Sequence, residues 1–345
     1  MGSVDNSESP KALILGSIHH ATDLLQRLKT QYPIQVIVAG TRDQFLSDCK
    51  AGRYNNVVAI GRSVDSVVYT GLFDVELVAQ LPLSVKFICH NGAGYDQVDV
   101  HACKTRGISV SHTPNVVNAA TADTTILLML AALRRMRIPQ GAVLDGSWGN
   151  AKSGFKLPLG RDPAGLTLGI IGLGGIGAAV ARRATAFDMK IQYHNRRPAD
   201  ESILRGVGAE VTYIPTLAEL LASSDIVSVH VPLSDATHHL IGAIEFAQMK
   251  PGVVFINTAR GPVVDEVALV AAVESGQVWS AGLDVFEHEP QVHPGLVTSG
   301  HAVLLPHIGT ATVDTRWQME ELMLSNVASA LNEGVLKTPV SESRQ

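Results

Sequence analysis

Short, largely apolar runs alternate along this chain with longer stretches in which apolar residues recur at helical spacing. Lys11-Ala12-Leu13-Ile14-Leu15, Ile34-Gln35-Val36-Ile37-Val38, Asn56-Val57-Val58-Ala59-Ile60 and Val85-Lys86-Phe87-Ile88-Cys89 are of the first kind, and 22–32 reads as a helix. Apolar runs separated by helices predict a parallel sheet with crossovers. Residues 119–137 predict a long apolar helix, broken by Pro139 and Gly141, and 146–163, rich in Gly and Pro, reads as a loop. A second block of strands follows at 166–171, 189–193, 210–212, 226–229, 253–256, 280–283 and 302–305. Residues 315–332 predict a last helix that returns to the first block. No internal repeat or low-complexity tract is evident.

The strand at 166–171 runs into Gly172-Leu173-Gly174-Gly175-Ile176-Gly177 and then Ala178-Ala179-Val180-Ala181, the start of a helix. A G-x-G-x-x-G between strand and helix lets backbone N–H groups approach a pyrophosphate at a positive helix end. The bland reading is a glycine turn that packs a helix closely on a sheet, but the neighbours on both sides favour a dinucleotide site. The next strand ends in His194-Asn195-Arg196-Arg197. A site for NAD(H) usually has Asp or Glu here, about 20 residues past the glycines, to hold the ribose 2′-OH. An acid would repel a 2′-phosphate, whereas Asn195 beside two guanidinium groups accepts one. NADP(H) is therefore predicted over NAD(H), the rival reading being an ordinary solvated Arg196–Arg197 pair.

Bulk properties narrow the picture. The 345 residues suffice for two domains, and a net charge of −5 advertises no nucleic-acid face. Cys49, Cys89 and Cys103 lack metal-ligand spacing and a disulfide framework, as expected of small core residues in a reducing compartment. The apolar run 126–133 is too short to span a bilayer, and the polar start of the chain lacks a signal-peptide core. No membrane or nucleic-acid partner is predicted, and the cytosol is the default location. The pairs His19-His20 and His238-His239 are adjacent rather than i, i+4, so no metal is assigned. Trp148 and Trp317 either shape a substrate pocket or pack in an interface or a core, and packing is the preferred reading.

Three polar stretches follow strands of the second block: Thr258-Ala259-Arg260-Gly261, the stretch from Asp284 to Pro290, and Pro306-His307-Ile308-Gly309. An open α/β sheet builds its site at the carboxyl ends of its strands. Each residue alone is commonplace, but a guanidinium, a carboxylate and an imidazole at successive strand ends are the parts that reduction of a 2-keto acid needs. Arg260 can clamp the substrate carboxylate and polarise the carbonyl. His307 can deliver the proton. Glu289 can orient His307 and raise its pKa.

The chain resembles the D-isomer-specific 2-hydroxyacid dehydrogenases over nearly its whole length. The motifs that carry the resemblance are Asn91-Gly92-Ala93-Gly94-Tyr95-Asp96, Thr121-Ala122-Asp123, Gly172 to Gly177, His230-Val231-Pro232-Leu233, Asn257-Thr258-Ala259-Arg260-Gly261, Asp284-Val285-Phe286-Glu287-His288-Glu289-Pro290 and Pro306-His307-Ile308-Gly309-Thr310. The resemblance implies an α/β fold of two doubly wound parallel-sheet domains. A Rossmann-type cofactor domain, 119–319, would be inserted in a flavodoxin-like substrate domain, 1–118 plus 320–345, with the cleft between them. It implies Arg260, Glu289 and His307 as the catalytic three. Ala93 and Gly94, with Arg260 and His307, would bind substrate. Thr121, Val231, Pro232, Thr258, Ala259, Asp284, His307 and Gly309 would join the glycine loop and Asn195, Arg196 and Arg197 around the cofactor, Asp284 on the carboxamide side of the nicotinamide. It also implies a homodimer, with the region from Ala119 near the partner.

Two departures stand out: Asp123 replaces a common Glu, and Asn195-Arg196-Arg197 replaces the usual acid, as in NADPH-using glyoxylate and hydroxypyruvate reductases. Glu289 speaks against the formate dehydrogenase branch, which pairs Gln with the histidine. The expected activity is NADPH-dependent reduction of a 2-keto acid, glyoxylate or hydroxypyruvate first and a bulkier acid such as benzoylformate second, to the D-2-hydroxy acid, by hydride transfer with His307 as acid/base. NAD(H) is the second cofactor choice. The rival class is a nucleotide-sensing, corepressor-like binding protein of the same fold, which would tolerate decay of residues that this chain retains.

Overall fold

The computed structural model describes residues 11–148 and 158–343. They form two compact units, one of 11–117 with 311–343 and one of 118–148 with 158–310. In the first, β1 (Ala12–Leu15), β2 (Ile34–Ile37), β3 (Ala59–Arg62), β4 (Phe87–His90) and β5 (Ser109–Ser111) form an all-parallel sheet of order β2-β1-β3-β4-β5. That is the flavodoxin-like order. Strands β1 and β3 are buried along their whole length, which is why their sequences read as continuous rather than alternating. One core lies on each face of this sheet, and helix Val313–Glu333 supplies Met323, Leu324, Val327 and Ala330 to one of them. The helix also serves the loop after β1. Helix Thr22–Gln31 has no capping side chain of its own, and the buried Glu320 carboxylate instead accepts the N–H groups of His19, His20 and Ala21 at 3.1, 2.7 and 2.8 Å.

In the second unit, β6 (Thr167–Ile171), β7 (Lys190–His194), β8 (Thr212–Tyr213), β9 (Ile226–Val229), β10 (Val253–Asn257), β11 (Val278–Leu283) and β12 (Ala302–Leu304) are again all parallel. Their order, β12-β11-β10-β9-β6-β7-β8, is the doubly wound nucleotide-binding order extended by one strand. Two cores cover its faces, one around Phe246, Phe255 and Leu269, the other around Leu128, Ile170, Tyr193 and Ile256.

Several details differ from the sequence reading. The strand expected at 56–60 is Ala59–Arg62, because hydrogen bonding to β1 and β4 continues past the apolar run through Gly61 and Arg62. β5 was not anticipated: two of its three residues are serine, and no apolar run marks it. The long helix ends at Leu133 and a second spans Arg137–Leu144, the break falling at Arg135, which has φ 46°. Pro139 is in the first turn of the second helix, where a missing N–H costs nothing. The expected domain boundary at 319/320 falls inside the continuous helix Val313–Glu333, and the units divide at 310/311. Of the expected loop at 146–163, positions 149–157 lie outside the described residues. Trp148 and Trp317 are both exposed, so neither packs in a core of this chain. The three cysteines are free and buried, with burial raising the thiols to about 11 for Cys49 and about 12 for Cys89 and Cys103.

Candidate active site

The register of the second sheet sets the site. Ile171 pairs with Val229 and His194, Val229 with Asn257, Asn257 with Leu283, and Leu283 with Leu304. Five strands and β7 therefore end level, and the chain that follows each emerges along one edge of the sheet.

At β6 that chain is the glycine loop. Gly172 has φ 98°, and a Cβ there would press on the His230 carbonyl and on Val231. A Cβ on Gly177 would overlap the Gly172 carbonyl, whereas one on Gly174 meets nothing within 4 Å. The loop is thus tight beneath and open above. Helix Gly175–Ala184 starts with no side-chain cap and no acid in its first turn, and Arg182 and Arg183 are in its last. Uncapped N–H groups at a positive helix end, with bare glycine in front, fit a dinucleotide pyrophosphate. Asn195 turns inward: its Oδ1 accepts the N–H of Leu173 at 2.7 Å. Arg196 and Arg197 are exposed and form no ion pair among the described residues. At β9, Ser228 Oγ lies 2.8 Å from His230 Nε2, while His230 Nδ1 is buried without a partner among the described residues. Burial lowers His230 to about 4, so the imidazole is neutral.

The chemistry gathers at β10, β11 and β12. Asn257, buried at the end of β10, accepts the N–H of Ala259 and donates to the carbonyl of Arg260, both at 3.0 Å, folding the Arg260 loop over itself. The guanidinium of Arg260 donates to the Ala259 carbonyl at 2.8 Å. Gly261 follows, and a Cβ there would overlap the backbone of Phe286 and Glu287. Only glycine lets the loop after β10 pass so close to the loop after β11.

His307 Nδ1 lies 2.8 Å from Glu289 Oε2. The other oxygen of Glu289 accepts the Phe286 N–H at 3.1 Å. Burial works to raise this carboxyl, but the contact with His307, the Phe286 N–H and the nearby Arg260 charge outweigh it and hold Glu289 below the usual glutamate range. His307 itself has φ 53°, a left-handed backbone uncommon for a residue with a Cβ. Asp284 holds it there. The Asp284 carbonyl accepts the His307 N–H at 2.8 Å, and its carboxylate accepts those of Ile308 and Gly309, each at 2.7 Å. Burial pushes the Asp284 carboxyl up, partly offset by these two donors and by His307. A strained backbone held by a buried acid is a usual mark of a functional position.

Thr121, Thr258, Asp284 and Gly309 come together around this loop. Thr125 Oγ1 donates to the Thr121 carbonyl and contacts Thr258 Oγ1, both at 2.8 Å, and a Cβ on Gly309 would reach Asp284 Oδ2 at 3.0 Å and Thr121 at 3.5 Å. Pro232 is exposed beyond β9, its carbonyl accepting from Thr237. Ala93 and Gly94 belong to the other unit, in the loop after β4. The sequence reading missed Asn257, Thr125 and Gly261 as site-builders. The signal for Asn257 was a polar residue closing an apolar strand; Thr125 had none. It also missed Glu287, whose Oε1 lies 2.6 Å from His239 Nε2. Among the described residues, no group of three or more His, Cys, Asp or Glu side chains is arranged to hold a metal ion.

The sequence model for "D-isomer specific 2-hydroxyacid dehydrogenase, NAD binding domain" matches residues 126–309. The chain belongs to the D-isomer specific 2-hydroxyacid dehydrogenase family. It is 48% identical over 335 residues to 4-methyl-2-oxopentanoate reductase A of Aspergillus oryzae, covering 97% of this chain and 99% of that one. The solved structure of a glyoxylate reductase from Paecilomyes thermophila superposes with a TM-score of 0.92 at 49% identity, covering 97% and 99% of the two chains. An NADPH-dependent glyoxylate/hydroxypyruvate reductase from Sinorhizobium meliloti, solved with NADP and malonate, gives a TM-score of 0.82 at 34% identity over 98% and 99%. Membership makes this protein an oxidoreductase with a nucleotide-binding domain of the NAD type.

Proposed function

We propose that this member of the family reduces a 2-keto acid to the D-2-hydroxy acid with NADPH. The observation that carries the reading is the 2.8 Å contact between His307 and Glu289 at the sheet edge that also presents Arg260 and the glycine loop. The glycine loop, Thr121, Val231, Pro232, Thr258, Ala259, Asp284 and Gly309 would hold the dinucleotide, which when bound supplies a hydride to the keto carbon. His307 gives the proton to the keto oxygen, and Glu289 keeps the imidazole aimed and balances its positive charge. Arg260 binds the substrate carboxylate through its planar fork. The Ala93 and Gly94 N–H groups are further candidate donors to a substrate carboxylate. For NADPH the support is two exposed arginines after β7 with no ion pair among the described residues, an amide in place of an acid, and the NADP bound by the Sinorhizobium meliloti reductase.

Glyoxylate and hydroxypyruvate lead as substrates because relatives named for them share most of the chain. A bulkier acid is next, given the Aspergillus oryzae relative named for 4-methyl-2-oxopentanoate. No observation favours a corepressor-like role. The same reading takes the protein as a cytosolic homodimer. Three free, buried cysteines accord with a reducing compartment. Leu127, Met136, Val143 and Leu144 expose an apolar surface on and between helices Asn118–Leu133 and Arg137–Leu144.

Steady-state rates with glyoxylate, hydroxypyruvate, 4-methyl-2-oxopentanoate and benzoylformate, each with NADPH and NADH, test substrate and cofactor together, and chiral analysis of the product tests the hand. The double variant Asn195→Asp, Arg196→Ser is expected to shift kcat/KM toward NADH. An unchanged cofactor ratio would remove the 2′-phosphate argument.

A further inference from the structure

The register of the first sheet sets Arg62 and His90 side by side as the last residues of β3 and β4. Arg62 is wholly buried, at 0% exposure. Nη1 is 3.3 Å from His90 Nδ1, Nη2 donates to Gln97 Oε1 at 3.1 Å, and the guanidinium lies 5.1 Å from the centre of the Phe73 ring. Nε is buried with no acceptor among the described residues. Burial lowers its pKa to about 10, which leaves it charged at neutral pH, and Asp96 and Tyr69 act on it only through space.

A guanidinium has only donors, so His90 Nδ1 must present its lone pair and the ring proton must be on Nε2. Nε2 is 3.0 Å from the carbonyl of Gly94. Arg62 thereby selects the tautomer that makes His90 a donor to the loop after β4. Two further bonds hold the same loop: Thr113 N–H donates to the Gly92 carbonyl at 2.9 Å, and His112 Nδ1 to the Ala93 carbonyl at 2.8 Å. In a trans peptide the N–H points opposite to the C=O. Tying down the carbonyls of Gly92 and Ala93 therefore turns the N–H groups of Ala93 and Gly94 the other way. Neither N–H meets an acceptor among the described residues. Gly92 completes the arrangement, since a Cβ there would overlap His90 Nε2.

We propose that Arg62 is a positioning residue for substrate recognition: by fixing the His90 tautomer it anchors the loop at the Gly94 carbonyl, next to the Ala93 and Gly94 N–H groups that the Thr113 and His112 bonds aim, so that the loop is held ready to receive a carboxylate, and its buried charge adds positive potential beside the loop. This rests on the reading above that this loop binds the substrate carboxylate.

The test compares Arg62→Met, His90→Leu, His90→Gln and Ala93→Pro for KM of the 2-keto acid, kcat, KM of NADPH and Tm. Arg62→Met and His90→Leu are expected to raise the keto-acid KM about tenfold, the scale of one charge-assisted hydrogen bond. kcat and the NADPH KM should stay within about threefold, as for lost uniform binding. Glutamine has an acceptor for Arg62 and a donor for Gly94, so His90→Gln is expected to restore the KM. A wild-type KM in Arg62→Met or His90→Leu, or a His90→Gln as impaired as His90→Leu, overturns the proposal. If Ala93→Pro leaves KM unchanged, the carboxylate-loop reading fails instead. If Ala93→Pro raises KM while the Arg62 and His90 variants do not, only the role of Arg62 falls. Should Arg62→Met not fold, the two His90 variants decide the matter.

Discussion

Two histidine–glutamate pairs meet on the one loop after β11, and they differ instructively. Glu289 pairs with His307 at 2.8 Å, and Glu287, two residues earlier, pairs with His239 at 2.6 Å. Both histidines have left-handed backbones, φ 53° and 50°. Both carboxyls are held below the usual glutamate range against the opposing effect of burial, chiefly by their histidines. The surroundings separate them. The second oxygen of Glu287 accepts the Glu266 N–H at 3.1 Å, while Glu266 accepts the N–H groups of Glu287 and His293, both at 2.8 Å. His239 stacks on His238 with ring centres 4.2 Å apart. That pair is bound into a clamp that closes the loop. The His307 pair instead has Asp284, Thr121 and Arg260 for neighbours. A histidine beside a carboxylate is thus not a site in itself; the groups around the pair make the difference.

The sharpest way to break the comparison is to truncate each histidine. His307→Ala is expected to lower kcat by a factor on the order of 10² or more, the contribution of a positioned general acid. His239→Ala should stay within about threefold in kcat. A partly exposed pair is worth up to about 1 kcal/mol, so Tm should fall by about 2–4 °C. Equal losses of kcat in the two variants would erase the distinction.

Next in size is Arg260→Lys, which keeps the charge and removes the fork. kcat/KM for the keto acid is expected to drop about tenfold to a hundredfold, the span of a charge-assisted hydrogen-bonded pair. Wild-type kinetics would place the carboxylate elsewhere.

A smaller effect sharpens the contrast through pH. A carboxyl whose folded pKa is depressed below its ordinary 4.5 adds stability that is present above that value and lost as pH falls through the folded pKa. Both glutamates therefore contribute to acid sensitivity below pH 4.5. Glu287→Gln and Glu289→Gln should each flatten the fall of Tm with acidification in that window. Only Glu289→Gln should also lower kcat at neutral pH, by about tenfold through loss of the charge that balances the imidazolium. A kcat loss confined to Glu287→Gln would reverse the assignment of the two pairs.

Much of this was legible from residue order alone. The glycine loop, the replacement of an acid by Asn195, and the polar stretches after three apolar runs depend on neighbours in sequence, and local spacing states them directly. The alternation of buried runs with helices likewise announced two parallel sheets, since strands covered on both faces must be apolar throughout. What faded was whatever long-range pairing decides. β5 is short and serine-rich, so only its ladder to β4 makes it a strand. β3 extends to Arg62 because its neighbours do, although a buried arginine is the last residue a strand pattern would suggest.

The sequence by itself determined which chemical groups leave the sheet and after which strand. Only the tertiary structure decided which of two glutamates two residues apart meets which histidine, and that Asn195 faces the glycine loop. Those choices follow from strand register, from the close approach that Gly261 permits, and from backbone hydrogen bonds such as those of Asp284 to residues 307–309. All three are relations between segments far apart in the chain, and no local pattern of residues encodes them.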